Sequence, residues 1–183
     1  MEDLSLHILD VAENSIGAGA SLIKITLSES TAEDLFSVKI EDNGRGIPED
    51  IMTKVLDPFY TTRTTRKVGL GLPLLAQSAR ETGGDISVRA GEGCGTIVTA
   101  SFKKSHIDMK PLGDIAETLV VLIAGNPHVD FLFTYRINSD EISLDTRQVR
   151  EELGGVPMNS APVMSFLRDY LRASLRDIHR EIV

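Results

Sequence analysis

The sequence predicts an α+β fold, on three observations. Apolar residues recur at helical spacing in the first 17 residues and again near the C-terminal end. Between them, short segments alternate apolar and polar residues with the period of a strand. Glycine-rich stretches such as Gly17-Ala18-Gly19, Gly83-Gly84 and Gly91-Glu92-Gly93-Cys94-Gly95 separate the periodic segments.

Each element follows in order. Residues 4–17 read as a helix with apolar positions at Leu6, Leu9, Ala12 and Ile16, flanked by Ile8 and Val11, and Gly17 to Gly19 end it. Residues 21–27 set Leu22, Lys24 and Thr26 against Ile23, Ile25 and Leu27, which suits a strand. Residues 35–41 form a second strand with Phe36, Val38 and Ile40 on one face. A short helix is expected from Pro48, since proline suits a first helical turn. Residues 57–69 combine threonines with Arg63, Arg66 and Lys67 and read as a loop. Residues 70–82 read as a helix stopped by Gly83-Gly84, and 85–89 with 96–102 as a hairpin.

The composition changes near residue 103. Residues 111–124 are expected to be helical, with Gly125-Asn126-Pro127 as the stop. Residues 129–137 alternate strongly, with Phe131, Phe133 and Tyr135 expected in the core, and 141–144 follow as a second strand after Asn138-Ser139-Asp140. This hairpin either joins the main sheet or packs separately. Asp145 with Gln148 forms a capping pair for a helix to residue 153. Ser160 is expected to cap a last helix whose buried side carries Phe166, Leu167, Tyr170, Leu171, Leu175 and Ile178. The division expected is residues 1–104 and a smaller α+β extension, 105–183.

Bulk properties narrow the function classes. A chain of 183 residues holds one ordinary domain, or one domain and an appendage. A net charge of −8 opposes phosphate backbones and anionic lipid, so neither nucleic acid nor membrane is the expected partner. Cys94 is the single cysteine, which precludes an internal disulfide and fits a reducing compartment. No apolar run approaches the ~18 residues that span a bilayer. The acidic start, Met1-Glu2-Asp3, lacks the basic stretch of a signal peptide. A cytoplasmic location is expected.

Four separated motifs carry chemistry. Asp10 and Asn14 lie four apart on one helix face, where a carboxylate can accept a proton from water and a carboxamide oxygen can ligate Mg²⁺. Asp42 ends a strand and can hold the exocyclic amine of adenine, while Gly44 and Gly46 let the backbone approach the base, followed by Ile47. Gly69, Leu70, Gly71 and Leu72 precede a helix, an arrangement that offers backbone N–H groups and a positive dipole end to phosphates. Thr96 follows Gly95 at a strand start, where its hydroxyl can reach the adenine edge. Taken singly, glycine-rich turns are usually only turns. Arg63, Arg66 and Lys67 are either γ-phosphate contacts or a solvated loop face. His7 is expected to be structural, although its spacing places it near the face of Asp10 and Asn14.

In this order and spacing, the motifs resemble the GHKL ATPase superfamily, which includes gyrase, the heat-shock chaperone, histidine kinases and mismatch-repair ATPases. The resemblance covers residues 4–102 and implies an α/β sandwich with a mixed, mostly antiparallel sheet. It implies Asn14 for Mg²⁺, Asp42 for adenine, Gly44 and Gly46 for base packing, Gly69 and Gly71 for phosphates, and Thr96 for the adenine edge. Asp57-Pro58-Phe59-Tyr60-Thr61-Thr62 resembles the Phe-containing box of histidine kinases, and the run from Gly83 to Thr96 is also kinase-like. Glu13 to Ala20 is locally similar to mismatch-repair ATPases, but the short lid and Gly-Leu-Gly-Leu favour the kinase-like branch.

Three departures qualify what the resemblance implies. Asp10 stands where hydrolytic branches carry Glu, which withdraws the carboxylate by about one methylene from an attacking water. The first motif begins within ten residues of Met1, so no phosphoacceptor helix pair is expected ahead of it. None of His7, His106, His128 and His179 is followed by an acidic residue, so a self-phosphorylating kinase of the usual kind is not expected. With Ser105-His106-Ile107-Asp108, Pro111-Leu112-Gly113-Asp114 and Gly125-Asn126-Pro127 of the tail included, the chain also resembles short stand-alone ATP-binding proteins encoded beside iron-only, NAD-linked hydrogenase subunits. The function implied is a Mg·ATP-binding regulatory kinase or slow ATPase working with a partner protein; the alternative is an ATP/ADP-sensing docking module.

Overall fold

In the computed structural model the described residues are 3–52, 54–57, 71–91 and 93–180. The chain begins with α1 (Leu4–Gly17), started by Asp3, whose carboxylate accepts from the Leu6 amide. The buried stripe of α1 is Leu4, Ile8, Val11, Ala12 and Ser15; Leu6 is turned outward. β1 (Leu22–Ser30) and β2 (Leu35–Asp42) pair antiparallel, setting Ile25 beside Ile40 and Leu27 beside Val38. Two short turns of helix follow: α2 (Glu49–Met52) and a 3₁₀ turn, Lys54–Leu56. After them come α3 (Gly71–Glu81), β3 (Ile86–Ala90) and β4 (Thr96–Lys103). Gly83 and Gly84 end α3, and Gly83 takes a positive φ of 77°.

The remainder is α4 (Ile115–Gly125), β5 (Asp130–Ile137), β6 (Asp140–Asp145), α5 (Thr146–Glu152) and α6 (Ala161–Arg180). The six strands form one sheet in the order β3-β4-β2-β1-β5-β6. Only the β1–β5 pairing is parallel. The 130–145 hairpin therefore joins the main sheet, with Phe131 beside Ile23, Phe133 beside Ile25 and Tyr135 beside Leu27. These three aromatics are buried, as the alternation predicts.

Alternation decides which face is covered. Ile23, Ile25, Leu27, Phe36, Val38, Ile40, Val98, Ala100 and Phe102 point to one side and are buried. Polar residues such as Lys24, Lys39 and Thr99 point to the other. On the buried side α1 packs between α3 and α4, and α4 packs against α6. The result is a two-layer α/β sandwich. Each fully buried aliphatic side chain in it contributes roughly 1.5–3 kcal/mol of transfer free energy.

Four expectations need correction. α4 begins at Ile115, not at 111, because the carbonyls of Pro111 and Leu112 accept from the amides of Leu4 and Ser5 and close the start of α1 instead. Asp114, whose carboxylate accepts from the Glu117 amide, is the actual cap. Asp145 caps α5 by accepting from the Arg147 amide rather than by pairing with Gln148. Ser160 makes no capping bond; its hydroxyl is buried without a partner among the described residues. Finally, α6 buries Val163, Met164, Leu167, Leu171 and Ile178, while Phe166 and Tyr170 stack on each other at the surface.

Candidate functional site

α1 runs beneath both halves of the candidate site. At its C-terminal end, the Ser15 hydroxyl donates to Asp42 Oδ2 at 2.6 Å. Asp42 closes β2 on the inner face, opposite Thr96 of β4 and Ile23 of β1. Its Oδ1 accepts from the amides of Gly44 at 2.9 Å and Thr96 at 3.3 Å. A carboxylate offers about four acceptor positions. Three are taken by these donors, which fix the group and leave one acceptor position on Oδ2 for an N–H outside the chain.

The turn after Asp42 is shaped by close backbone approach. Asn43 Oδ1 accepts from the amides of Ser21 and Leu22, which ties the turn to the start of β1. The Arg45 amide donates to the carbonyl of Ala18, just beyond α1. Gly46 has φ +72°, and a Cβ there would lie 1.9 Å from the carbonyl oxygen of Cys94. A Cβ on Gly95 would lie 1.8 Å from the carbonyl oxygen of Asp42. Neither position accepts a side chain without moving backbone. Gly44 is less extreme: a Cβ there would sit 3.0 Å from the Ala18 carbonyl oxygen. Ile47, two residues past the turn's centre, is half-buried.

One to two turns earlier, α1 meets the start of α3. A Cβ on Gly71 would lie 3.1 Å from Asp10 Cβ, 3.5 Å from Asp10 Oδ2 and 3.7 Å from Asn14 Nδ2. The positive end of the α3 dipole thus sits against the Asp10 and Asn14 side chains. Leu72 packs on the core from the same turn, and Pro73, in the first turn, is where proline costs a helix least. From Asp10 to Ser15 the rise along α1 is roughly 7 Å. One helix therefore positions Asp10 and Asn14 against the start of α3 and Ser15 against the carboxylate of Asp42.

The structure brings together Asp10, Asn14 and Gly71, and separately Asp42, Gly44, Gly46 and Thr96. Arg63, Arg66, Lys67, Gly69 and Leu70 lie outside the described residues. Sequence reasoning missed Ser15, Ala18 and Asn43. Ser15 left a signal, as one of two hydroxyls, with Ser5, on the buried side of α1; Ala18 acts through its carbonyl and left none. Cys94 is exposed, and its part in the site is the main-chain oxygen above Gly46.

His7, three residues before Asp10, is fully buried, and neither ring nitrogen meets a hydrogen-bond partner among the described residues. Burial, reinforced by the Lys110 ammonium, pulls its pKa down to about 4. The ring is neutral at physiological pH and belongs to the core.

An acidic strand end tied to a helix hydroxyl, with two glycines that exclude side chains and a second helix N-terminus above a carboxylate–carboxamide pair, defines a nucleotide-binding α/β sandwich. Residues 2–106 match the family model described as histidine kinase-, DNA gyrase B-, and HSP90-like ATPase, and the chain belongs to that family. It is similar to a putative NtrY-like sensor histidine kinase of Rickettsia conorii, 27% identical over 110 residues, which are 60% of this chain and 18% of that one. It is also similar to the Streptomyces coelicolor signal transduction histidine-protein kinase AfsQ2, 28% identical over 100 residues, 52% of this chain and 18% of that one. The chain spans less than a fifth of the length of these relatives. The crystal structure of the N-terminal domain of a DNA repair protein shares the fold, with a TM-score of 0.60 and 18% identity over 79% of this chain and 53% of that one. That fold likeness takes in part of the segment after residue 106. No helix among the described residues is long and apolar enough to cross a membrane.

Proposed function

We propose that the chain binds Mg·ATP and acts as a regulatory kinase or slow ATPase on, or together with, a partner protein. The observation that carries the base-binding half is the Asp42 carboxylate, held by three donors from α1, the turn and β4 with one acceptor position left. An adenine exocyclic amine would supply the missing donor, and Gly44 and Gly46 let the turn pack against the Ala18 and Cys94 carbonyls so that Asp42 is held at its edge. Thr96 would add its hydroxyl at the base edge.

The phosphates would lie over the start of α3, held by Gly69, Leu70, Gly71 and Leu72, with Arg63, Arg66 and Lys67 as further cations. Asp10 Oδ2 and the Asn14 carboxamide flank the space a Cβ at Gly71 would fill, and the amide oxygen of Asn14, in place of the Nδ2 that faces Gly71, would turn towards a bound cation. Mg²⁺ would take Asn14 as its protein ligand and complete its shell with phosphate oxygens and water. Such an ion neutralises charge on the transferred phosphoryl group, and positioning supplies most of the remaining catalysis. Asp10 would accept the proton of the attacking group, whether water or a side chain of the partner.

A second reading is supported by Asp10 itself. A shorter carboxylate sits further from an attacking water than Glu would, which favours an ATP/ADP-sensing docking module without turnover. The resemblance of the tail to proteins encoded beside hydrogenase subunits makes such a subunit the partner to try first. Purified chain with Mg²⁺ and γ-labelled ATP, followed for phosphate release and for label on protein, tests both readings with Asn14→Ala and Asp10→Asn as controls. Turnover lost in both variants supports the enzyme. Tight binding without turnover supports the module, and no binding contradicts both.

A further inference from the structure

Far from the nucleotide end, α6 and the beginning of α4 form the walls of an open cleft of about 500 Å³, within the size range of small-molecule sites. Gly113, in its wall, packs against Asp3 and Ser5 at the start of α1. The stretch from Asp3 to Ser15 separates this level from Asp42's helix contact by roughly 18 Å. The cleft is a different place from the one described above.

Its lining is apolar on one side and cationic on the other. Ile115, Ala116 and Leu175 form the apolar part. Arg172, Arg176 and His179 recur along one face of α6 at helical spacing and line the rest. Of the carboxylates nearby, Asp114 accepts from Arg172 at 2.9 Å, Glu117 from Arg168 at 2.8 and 3.1 Å, and Asp3, behind Gly113, accepts from the Ser5 hydroxyl and the Leu6 amide. Arg176 has no ion-pair partner among the described residues. His179 Nδ1 lies 2.6 Å from the Leu175 carbonyl oxygen. A carbonyl only accepts, so Nδ1 carries the hydrogen and Nε2 is the nitrogen left for a ligand. A surplus guanidinium and an imidazole beside an apolar wall, in a chain of net charge −8, make a local site for a negative group.

We propose that this cleft binds a small organic anion, with its apolar body against Ile115, Ala116 and Leu175 and its carboxylate or phosphate monoester against Arg176 and His179. Arg's planar fork suits either head group.

Amide chemical shifts of the full-length chain, titrated with phenyl phosphate, benzoate and phenol, test this. The proposal expects saturable shifts at residues 112–116 and 172–179 with at least one of the two anions, and at least tenfold weaker binding of neutral phenol. The stronger anion identifies the head group. Arg176→Glu, at an exposed position, should weaken anion binding at least tenfold with an unchanged melting temperature, and Arg176→Lys should restore most of it. Phenol binding as well as the anions, shifts elsewhere only, or an unaltered titration in Arg176→Glu would each overturn the proposal.

Discussion

Gly46 and Gly95 at the nucleotide end and Gly125 in the tail are different kinds of residue. Gly46 and Gly95 face main-chain oxygens at distances no Cβ tolerates, whereas a Cβ on Gly125, at the end of α4, meets nothing within 4 Å. The first pair is needed so that β2, β4 and the end of α1 can converge on Asp42. Gly125 only stops a helix. The contrast teaches that a glycine's importance lies in what its missing side chain would strike, which is a property of the fold and not of the motif.

The largest effect expected follows from that contrast. Gly46→Ala combines a positive φ with a 1.9 Å approach to the Cys94 carbonyl. It should abolish measurable ATP binding and lower stability by about 3 kcal/mol or more by denaturant unfolding. Retained binding would break the comparison.

Next comes a pH effect at the other half of α1. His7 has a folded pKa of about 4, below its unfolded value near 6.5. The unfolded chain therefore binds more protons between those values. Stability should be full above pH 6.5, fall as pH drops towards 4, and level off below. The loss should be on the order of 3 kcal/mol, measured as the difference between the parent chain and His7→Leu. Equal pH slopes in the two chains would contradict a buried, neutral His7.

Ser15→Ala removes one donor to Asp42 and should cost about 1.5–3 kcal/mol in stability, with ATP binding weakened about tenfold. The smallest effect belongs to Gly125→Ala, which should raise the melting temperature slightly, by at most about 1 kcal/mol of stability, and leave binding unchanged.

Much of this was legible in the chain. Period-2 alternation placed β1, β2 and β5, with β1 running on to Ser30, because one face of each is buried; the turns beside them marked β4 and β6. β3 is short, yet the flanking glycines marked it. Asp10, Asn14 and Asp42 were singled out by the order and spacing of the four motifs together, and the structure sets Asp10 and Asn14 against the start of α3 and Asp42 against Ser15. What was not legible arises from tertiary contact. Pro111 and Leu112 read as helical but serve α1 through their carbonyls. Phe166 and Tyr170 read as core, but the helix buries Val163 and Met164 in their place, beside the expected Leu167, Leu171 and Ile178. Ser15 entered the site only once β2 brought Asp42 against α1.

Titration calorimetry of the chain with ATP and with GTP in Mg²⁺, repeated on Asp42→Asn, addresses the base-binding geometry most directly. The open acceptor on Asp42 meets the adenine amine, whereas guanine presents a carbonyl oxygen at that position. ATP should bind at one site, at least tenfold tighter than GTP, and Asp42→Asn should lose most of the ATP affinity. Equal affinities for the two nucleotides, or ATP binding untouched in Asp42→Asn, would show that Asp42 does not read the base.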